Sequence, residues 1–235
     1  MNHKVILLGF STAGKSTVLE RFQNAYTAEQ LNTVDTDKRV GAAFGGNIFK
    51  IFQQEGNVSG DDTTEALRLI KLRENEILLS LIDERSPCLI AAGPALPSRE
   101  NFPLFLQSGA ECILLNTTAE VVYDGLVRRH EKHVADGLDR DPNFGCWDKG
   151  TSKAYVDGRW ELVGFAKGVE NIKREMAPLQ SYYEHYTPDN RFRRWDAAKI
   201  RTDRKTTKEF YKSVADYLGI PNKPILQLLE TLEVW

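Results

Sequence analysis

The sequence contains few cysteines, no long apolar run and no block of like charge. Its three cysteines, Cys88, Cys112 and Cys146, are widely spaced and show no Cys-x-x-Cys pattern, so neither a disulfide framework nor a zinc site is indicated. The apolar run at residues 5–10 is too short to span a bilayer and leads into a glycine motif rather than a cleavage site. We therefore expect a cytoplasmic protein without a membrane partner.

Charge is balanced along the chain. It has 31 basic and 33 acidic residues, and a polyanion needs a concentrated basic surface, so nucleic acid is not an expected partner. The length of 235 residues, with 41% hydrophobic residues, suits one α/β unit with an insertion better than two full domains. We expect a single domain over residues 1–220, a C-terminal helix within 221–235, and a monomer or homodimer.

Apolar strand patterns alternate with helical ones. Strands are predicted at residues 4–8, up to 34, at 88–92, 110–115 and 197–201, and helices at 16–24, 62–84, 99–107, 120–129, 169–186 with a break near Pro178, and 206–218. In the helix at 62–84 the polar face holds Arg68, Arg73, Glu74 and Glu76. Continuous apolar strands are typical of a parallel sheet. The prediction is an α/β fold of three layers, with a parallel sheet of about five strands flanked by helices.

Residues 9–16 fit the phosphate-loop pattern G-x-x-x-x-G-K-[ST], with a strand before and a helix after. Backbone N–H groups of such a loop and the helix N-terminus form an anion cradle. Lys15 would bridge the β- and γ-phosphates of a nucleotide, and the Ser16 hydroxyl would ligate Mg²⁺. The predicted nucleotide contacts are Gly9, Ser11, Thr12, Ala13, Gly14, Lys15, Ser16 and Thr17.

Two acids follow the second predicted strand. Asp35 and Asp37 are two residues apart, and in an extended segment both would face the same side. One could hold Mg²⁺ through water, and the other could orient or deprotonate a hydroxyl. The later apolar strands do not end in Asp and no Asn-Lys-x-Asp motif follows, which disfavours a guanine-nucleotide switch.

Four segments, residues 5–17, 34–37, 46–56 and 88–101, resemble the shikimate kinase family, small-molecule kinases with the nucleoside monophosphate kinase fold. The resemblance covers about the first 130 residues well. It implies a phosphotransferase that uses ATP and Mg²⁺, with Asp35 assisting the metal and Asp37 gripping the acceptor hydroxyl. It also maps a substrate-binding arginine of the long helix onto Lys71 or Arg73.

The family pattern differs from this sequence at several positions. Thr12 stands where the family has glycine, a change that is acceptable if this residue does not need a left-handed conformation. The family's triple glycine is Gly93-Pro94-Ala95 here, so Gly93 remains as a substrate contact while Pro94 has lost its N–H. Met176 replaces the arginine that binds the substrate carboxylate, ahead of Tyr182 and Tyr183, and Arg174 could substitute from one turn earlier.

The segment after the fourth strand is longer than the family's lid. The resemblance places a lid arginine at Arg128 or Arg129, which would stabilise charge on the transferring phosphoryl group. Asp157-Gly158 between apolar residues predicts a hairpin inside this insertion, residues 128–168. Residues 38–85 are the expected acceptor-binding region.

The expected activity is transfer of the γ-phosphoryl group of MgATP to a hydroxyl of a small polar metabolite. Shikimate is one possible acceptor. A gluconate- or nucleotide-type kinase on the same fold is an alternative reading, and so is a nucleotide-binding regulatory domain that has lost transfer.

Overall fold

Strands and helices alternate in the computed structural model, which describes residues 3–43, 63–135, 153–156, 159–162, 164–186 and 192–232. The strands are β1 (Lys4–Leu8), β2 (Asn32–Asp35), β3 (Cys88–Ala91), β4 (Glu111–Asn116), β5 (Lys153–Val156), β6 (Arg159–Leu162) and β7 (Phe192–Asp196). The helices are α1 (Lys15–Ala25), α2 (Thr36–Ala43), α3 (Thr63–Ile82), α4 (Phe102–Gln107), α5 (Ala119–Ala135), α6 (Phe165–Tyr186), α7 (Ala197–Thr202), α8 (Arg204–Tyr217) and α9 (Lys223–Thr231).

Five strands form one parallel sheet in the order β2-β3-β1-β4-β7. The central strand β1 is completely buried from Val5 to Leu8, as expected for a parallel strand covered on both faces. The buried thiols of Cys88 and Cys112 lie in its two neighbours, β3 and β4. Helices flank the sheet, so the predicted α/β fold with about five parallel strands is confirmed.

The last strand of the sheet lies five residues earlier than the sequence pattern predicts. Strand β7 covers Phe192–Asp196, and the predicted strand at 197–201 is instead helix α7. Asp196 starts the helix, because its carboxylate accepts hydrogen bonds from the N–H groups of Ala198 and Lys199 at 2.8 and 3.0 Å. Because residues 197–202 form a helix capped by Asp196, the predicted strand at 197–201 is wrong.

The described residues fall into two compact units, one drawn from residues 1–36, 74–117 and 182–235 and the other from 37–73 and 118–181. The first unit contains the parallel sheet and a core that includes residues of α1, α8 and α9. Phe22 stacks on Tyr26 and on Tyr211, with ring centroids 5.8 and 5.7 Å away. Ile225 and Leu229 of α9 are fully buried in the same core, so the predicted C-terminal helix is confirmed as part of it.

Helix α3 confirms the amphipathic helix predicted for residues 62–84, but one of its polar positions is buried. Glu74 is 3% exposed, and the guanidinium of Arg99, from the segment after β3, donates to its carboxylate. The neighbouring Asn75 accepts from the Asn101 N–H at 3.1 Å. Periodicity predicts a solvated Glu74, whereas a partner distant in sequence allows its burial.

The second unit contains the antiparallel pair β5 and β6, in which Val156 lies opposite Arg159. The predicted hairpin is therefore confirmed at its strands, while residues 157 and 158 and the rest of the insertion at 136–152 lie outside the described residues. A short helix predicted near residues 48–52 also lies outside them. Helix α6 continues through Pro178, so the predicted break is wrong. Among the described helices, none combines the length and apolar character that crossing a membrane requires.

Candidate functional site

The chain turns sharply after β1 into the phosphate loop, residues 9–17, which ends in the first turn of α1. Gly9 has φ 140° and Gly14 has φ 97°, in the region that favours glycine. A Cβ at Gly9 would lie 2.7 Å from the carbonyl oxygen of Leu115 in β4, so a side chain there would displace the neighbouring strand. Both glycines of the motif are thus required by backbone geometry.

The side chain of Lys15 folds back towards the start of this loop. Its ammonium donates to the carbonyl oxygens of Gly9 at 2.7 Å and Phe10 at 3.0 Å. The positive charge therefore lies beside the N-terminus of α1, where backbone N–H groups without helical partners already favour an anion. The first turn of α1 holds no acidic residue that would oppose this. The predicted role of Lys15 in binding phosphate fits this position.

The other predicted nucleotide contacts lie along the same stretch. Ser11 and Thr12 are half-buried in the loop, Ala13 is buried, and Thr17 is exposed in the first turn of α1. The N–H of Ala13 donates to the Phe10 carbonyl oxygen at 3.2 Å and closes a turn inside the loop.

Ser16 and Asp35 meet at the carboxyl edge of the sheet. The Ser16 hydroxyl lies 3.4 Å from Oδ2 of Asp35, the last residue of β2. Mg²⁺ takes oxygen ligands and usually keeps several waters, so one hydroxyl and one carboxylate beside a phosphate site are a fitting donor set. Among the described residues there is no cluster of three or more His, Cys, Asp or Glu side chains that could bind a metal by itself. A Mg²⁺ ion held by Ser16 and Asp35 would take further ligands from nucleotide oxygens and water, as Mg²⁺ usually does in kinases.

Asp37 does not extend β2. Helix α2 begins at Thr36, so Asp37 lies exposed in the first helical turn. The premise that Asp35 and Asp37 share one extended segment is wrong, because the chain changes from strand to helix between them. The Thr36 side chain is buried at this change, where its hydroxyl accepts the Gly93 N–H at 2.8 Å.

Gly93 is already engaged within the fold. Its N–H is bound to Thr36, and its carbonyl oxygen accepts the Leu96 N–H at 3.1 Å. A contact from this N–H to an acceptor would require the bond to Thr36 to open. The structure therefore gives the predicted substrate contact at Gly93 no available donor.

Thr12 adopts a left-handed conformation with φ 64°. The condition under which threonine would be an acceptable replacement for glycine is therefore not met, because the loop requires a left-handed residue at position 12. Arg201 of α7 donates from its guanidinium to the carbonyl oxygen of Thr12. The sequence gives no signal for this contact. Even the capping residue Asp196 indicates only that a helix begins nearby.

Tyr183 is a second residue of the site that sequence reasoning did not assign. It is 6% exposed, and its hydroxyl donates to the Pro94 carbonyl oxygen at 3.0 Å. Burial raises the pKa of the Tyr183 hydroxyl well above its ordinary value, against an opposing hydrogen bond from the backbone of Gly9. The hydroxyl thus stays protonated and joins the start of the phosphate loop to the segment after β3.

The remaining predicted residues belong to the second unit. Lys71 and Arg73 are exposed on α3, Arg128 is exposed on α5 with Arg129 next to it in the chain, and Arg174 is exposed on α6. Arg174 donates to the side-chain oxygen of the buried Asn171. The four exposed positions are compatible with contact to anions in solution, and the roles of all five residues stay predictions.

Solved structures with a similar fold are known. The chain is similar to shikimate kinase from Bacteroides thetaiotaomicron, at 14% identity and TM-score 0.58, over 92% of this chain and 98% of that one. It is similar to shikimate kinase from Acinetobacter baumannii, at 18% and 0.52, over 91% and 94%, and to that from Aquifex aeolicus, at 20% and 0.50, over 92% and 99%. No protein-family model and no curated protein matches the chain. At these identities the likeness shows the fold, and at that level the resemblance to shikimate kinases is confirmed.

Proposed function

We propose that this chain is an ATP-dependent kinase that transfers the γ-phosphoryl group of MgATP to a hydroxyl of a small polar metabolite. The observation that carries the proposal is the meeting of Ser16 and Asp35 at 3.4 Å beside a phosphate loop under Lys15. The fold, shared with shikimate kinases, supports it at a coarser level. The fold alone would also suit other phosphate ligands, whereas the hydroxyl and carboxylate add a place for Mg²⁺.

On this proposal each group of the phosphate loop has a defined task. Lys15 leaves the carbonyl oxygens of Gly9 and Phe10 and binds the β- and γ-phosphates, while the N–H groups of the loop hold the phosphate oxygens. Ser16 directly, and Asp35 through water, would hold Mg²⁺. When bound, the ion neutralises charge that develops on the phosphates during transfer. The chain's own contribution is to fix the nucleotide in position and to exclude competing orientations.

The acceptor half of the proposal rests on exposed residues of the second unit. Asp37 is the proposed group that orients or deprotonates the acceptor hydroxyl. Lys71, Arg73 and Arg174 are the proposed partners of an acceptor anion, and Arg128 or Arg129 the proposed lid cation. The solved relative from Acinetobacter baumannii contains shikimate, so hydroxy acids are the first acceptors to examine. Met176 in place of an arginine favours an acceptor whose carboxylate is bound differently, or one that has no carboxylate.

One observation favours a second candidate, a nucleotide-binding module that does not transfer phosphate. Pro94 has no N–H, and the N–H of Gly93 is bound to Thr36 at 2.8 Å. The segment after β3 therefore offers an acceptor fewer backbone donors than a glycine-rich segment would. A protein of this kind would bind MgATP and release no ADP with any acceptor.

A coupled assay of ADP formation across hydroxy acids, sugar acids and nucleoside monophosphates tests the proposal. We expect at least one acceptor to be phosphorylated by the wild-type chain. Asp37→Ala should lower kcat by about 100-fold or more while the dissociation constant for ATP changes little, because general-base assistance contributes about 10²–10⁴-fold. Asp124→Ala, which removes an exposed aspartate of α5, serves as the matched control.

Two results would contradict parts of the proposal. Turnover that survives in Asp37→Ala removes the role of that residue. ATP binding without ADP formation over the whole panel rejects the kinase and supports the binding module.

A further inference from the structure

Thr12 holds a conformation that its side chain disfavours. Among the residues the structure describes, it is the only one other than glycine with a positive φ, at 64°. A left-handed residue with a branched side chain is uncommon and strained. Such strain persists only where the surroundings hold the residue in place. The structure should therefore contain a contact that keeps Thr12 in this conformation.

Contacts within the loop help to keep Thr12 in its left-handed conformation. The Ala13 N–H donates to the Phe10 carbonyl oxygen, and Lys15 bridges the carbonyl oxygens of Gly9 and Phe10. Lys15 would leave those oxygens when it binds phosphate, so it would no longer hold the loop in the nucleotide-bound state. A contact that remains when a nucleotide binds has to come from outside the loop.

Arg201 supplies that contact. Its guanidinium, 189 residues further along the chain, donates to the carbonyl oxygen of Thr12. The same group lies beside Gly14, where an added Cβ would be 3.7 Å from Nη2. A hydrogen bond from a charged guanidinium is stronger than a neutral one, and the planar fork fixes direction as well as distance.

Because the peptide group is planar, holding the Thr12 carbonyl also fixes the N–H of Ala13 and the orientation of the donors that follow. We infer that Arg201 is a positioning residue that keeps the phosphate loop in its anion-binding conformation by binding the Thr12 carbonyl, where a threonine occupies a left-handed position; this rests on the proposed nucleotide site. A glycine at position 12 would adopt the left-handed conformation without a stabilising partner, whereas the threonine needs the hydrogen bond from Arg201.

Amide hydrogen exchange in the nucleotide-free protein tests the inference without relying on any activity. The Ala13 amide, bonded to Phe10 at 3.2 Å, reports opening of the loop. Arg201→Ala should speed its exchange about tenfold or more, the effect of losing one charge-assisted hydrogen bond. Lys199→Ala, which removes an exposed cation from the same helix, should leave the exchange unchanged. Arg201→Gln carries the same test if the alanine variant does not fold.

A double-mutant cycle with Thr12→Gly separates positioning from general support of the fold. Glycine accepts a left-handed φ without a side-chain penalty, so Arg201→Ala should matter much less in the Thr12→Gly background. Equal effects of Arg201→Ala in both backgrounds would overturn the inference, as would unchanged Ala13 exchange in Arg201→Ala.

ATP binding and turnover are measured in the same variants. Arg201→Ala should raise the KM and the dissociation constant for ATP about tenfold or more, with kcat within about threefold, and Thr12→Gly/Arg201→Ala should recover most of the loss. A fall in kcat at unchanged KM would overturn the inference. If the wild-type chain binds no ATP, the proposed function fails, while the exchange cycle still decides the role of Arg201.

Discussion

At the scale of single residues, Ser16 and Asp35 carry the metal part of the proposed site. A serine at the start of a helix and an aspartate at the end of a strand are unremarkable by themselves. Their oxygens are 3.4 Å apart because β2 and β1 end at the same edge of the sheet, with only β3 between them. Parallel strands end together in this way, which is why ligand sites of open α/β sheets lie at that edge.

Replacing either of the two proposed Mg²⁺ ligands should change the metal dependence of ATP binding. We expect Ser16→Ala and Asp35→Asn each to raise the Mg²⁺ concentration for half-maximal ATP binding by about tenfold or more, since a hydrogen bond or ligand to a charged group contributes about 1.5–3 kcal/mol. Titration with Mg²⁺ at fixed ATP measures the change. Glu20→Ala, at an exposed position of α1, is the control. An unchanged Mg²⁺ requirement in both variants would exclude this pair as the metal site.

At the scale of elements, α3 and the segment after β3 are joined by a buried ion pair. The side chains of Arg99 and Glu74 are 9% and 5% exposed, and the Arg99 guanidinium also donates to the Ser98 hydroxyl at 2.7 Å. Such a pair adds little net stability compared with apolar residues, but removing one partner leaves a desolvated charge. Its value here is to fix the segment that contains Gly93 and Pro94.

Single and double variants of the Arg99–Glu74 pair should differ in stability. Arg99→Met should lower the free energy of unfolding by about 3–5 kcal/mol, while Glu74→Leu/Arg99→Met should lie much closer to wild type. Urea unfolding measures both, with the exposed Arg85→Met as control. Equal destabilisation by the single and double variants would mean that shape, rather than charge, dominates at this position.

The start of α5 shows a second electrostatic device. Hydrogen bonds from the backbone N–H of Glu120 and the Thr118 hydroxyl, with Lys173 at 3.1 Å, lower the pKa of the Glu120 carboxyl from 4.5 to about 2. A carboxylate in the first turn of a helix is favoured by the helix dipole. The folded state therefore binds this proton less readily than the unfolded chain does.

The lowered pKa of Glu120 makes the stability of the folded protein depend on pH in acid. The Glu120 carboxylate stabilises the folded state above pH 4.5, and this contribution disappears as the pH falls towards about 2. Glu120→Gln should therefore flatten the acid-unfolding curve in that window and leave the curve above it parallel to wild type. Because the group is exposed, high salt should shrink the difference. Glu131→Gln on the same helix is the control. The stability difference between wild type and Glu120→Gln should be largest at neutral pH and shrink towards pH 2, so a difference that stays as large at pH 2 as at neutral pH would contradict the assignment.

At the scale of the whole molecule, the first of the two units is built around a buried parallel sheet whose central strand leads directly into the phosphate loop. Some residues therefore both shape the phosphate loop and pack in the hydrophobic core. Leu115 limits the space at Gly9 and belongs to the same core as Phe22 and Ile225. Ligand binding at the loop should therefore stabilise the protein against cooperative unfolding.

We expect MgATP at about 100 times its dissociation constant to stabilise the folded protein by about 2.7 kcal/mol. For a chain of this size that corresponds to a rise in melting temperature of about 5–10 °C. Thermal unfolding with and without MgATP measures the shift, and EDTA should reduce it. Lys15→Ala should abolish it without lowering the melting temperature of the ligand-free protein by more than a few degrees. A shift that survives in Lys15→Ala would place the nucleotide elsewhere.

Local patterns in the sequence were sufficient for much of the fold. Residues 9–16 predict the phosphate loop because the motif depends on neighbouring residues, and the apolar runs at β1, β3 and β4 predict a parallel sheet because such strands are buried on both faces. The Tyr155–Trp160 pairing follows in the same way from the turn signal between them. These features need no information from distant parts of the chain.

The tertiary structure decided what depends on distant partners. It placed Arg201 on the Thr12 carbonyl, buried Glu74 against Arg99, and put Asp37 in a helix. No pattern in the sequence relates residues 12 and 201, since a side chain reaches a distant loop only after the sheet has brought both together. The sequence by itself therefore determined the glycine loop between β1 and α1 that the proposed function depends on, and the folded structure decided which distant residues contact that loop.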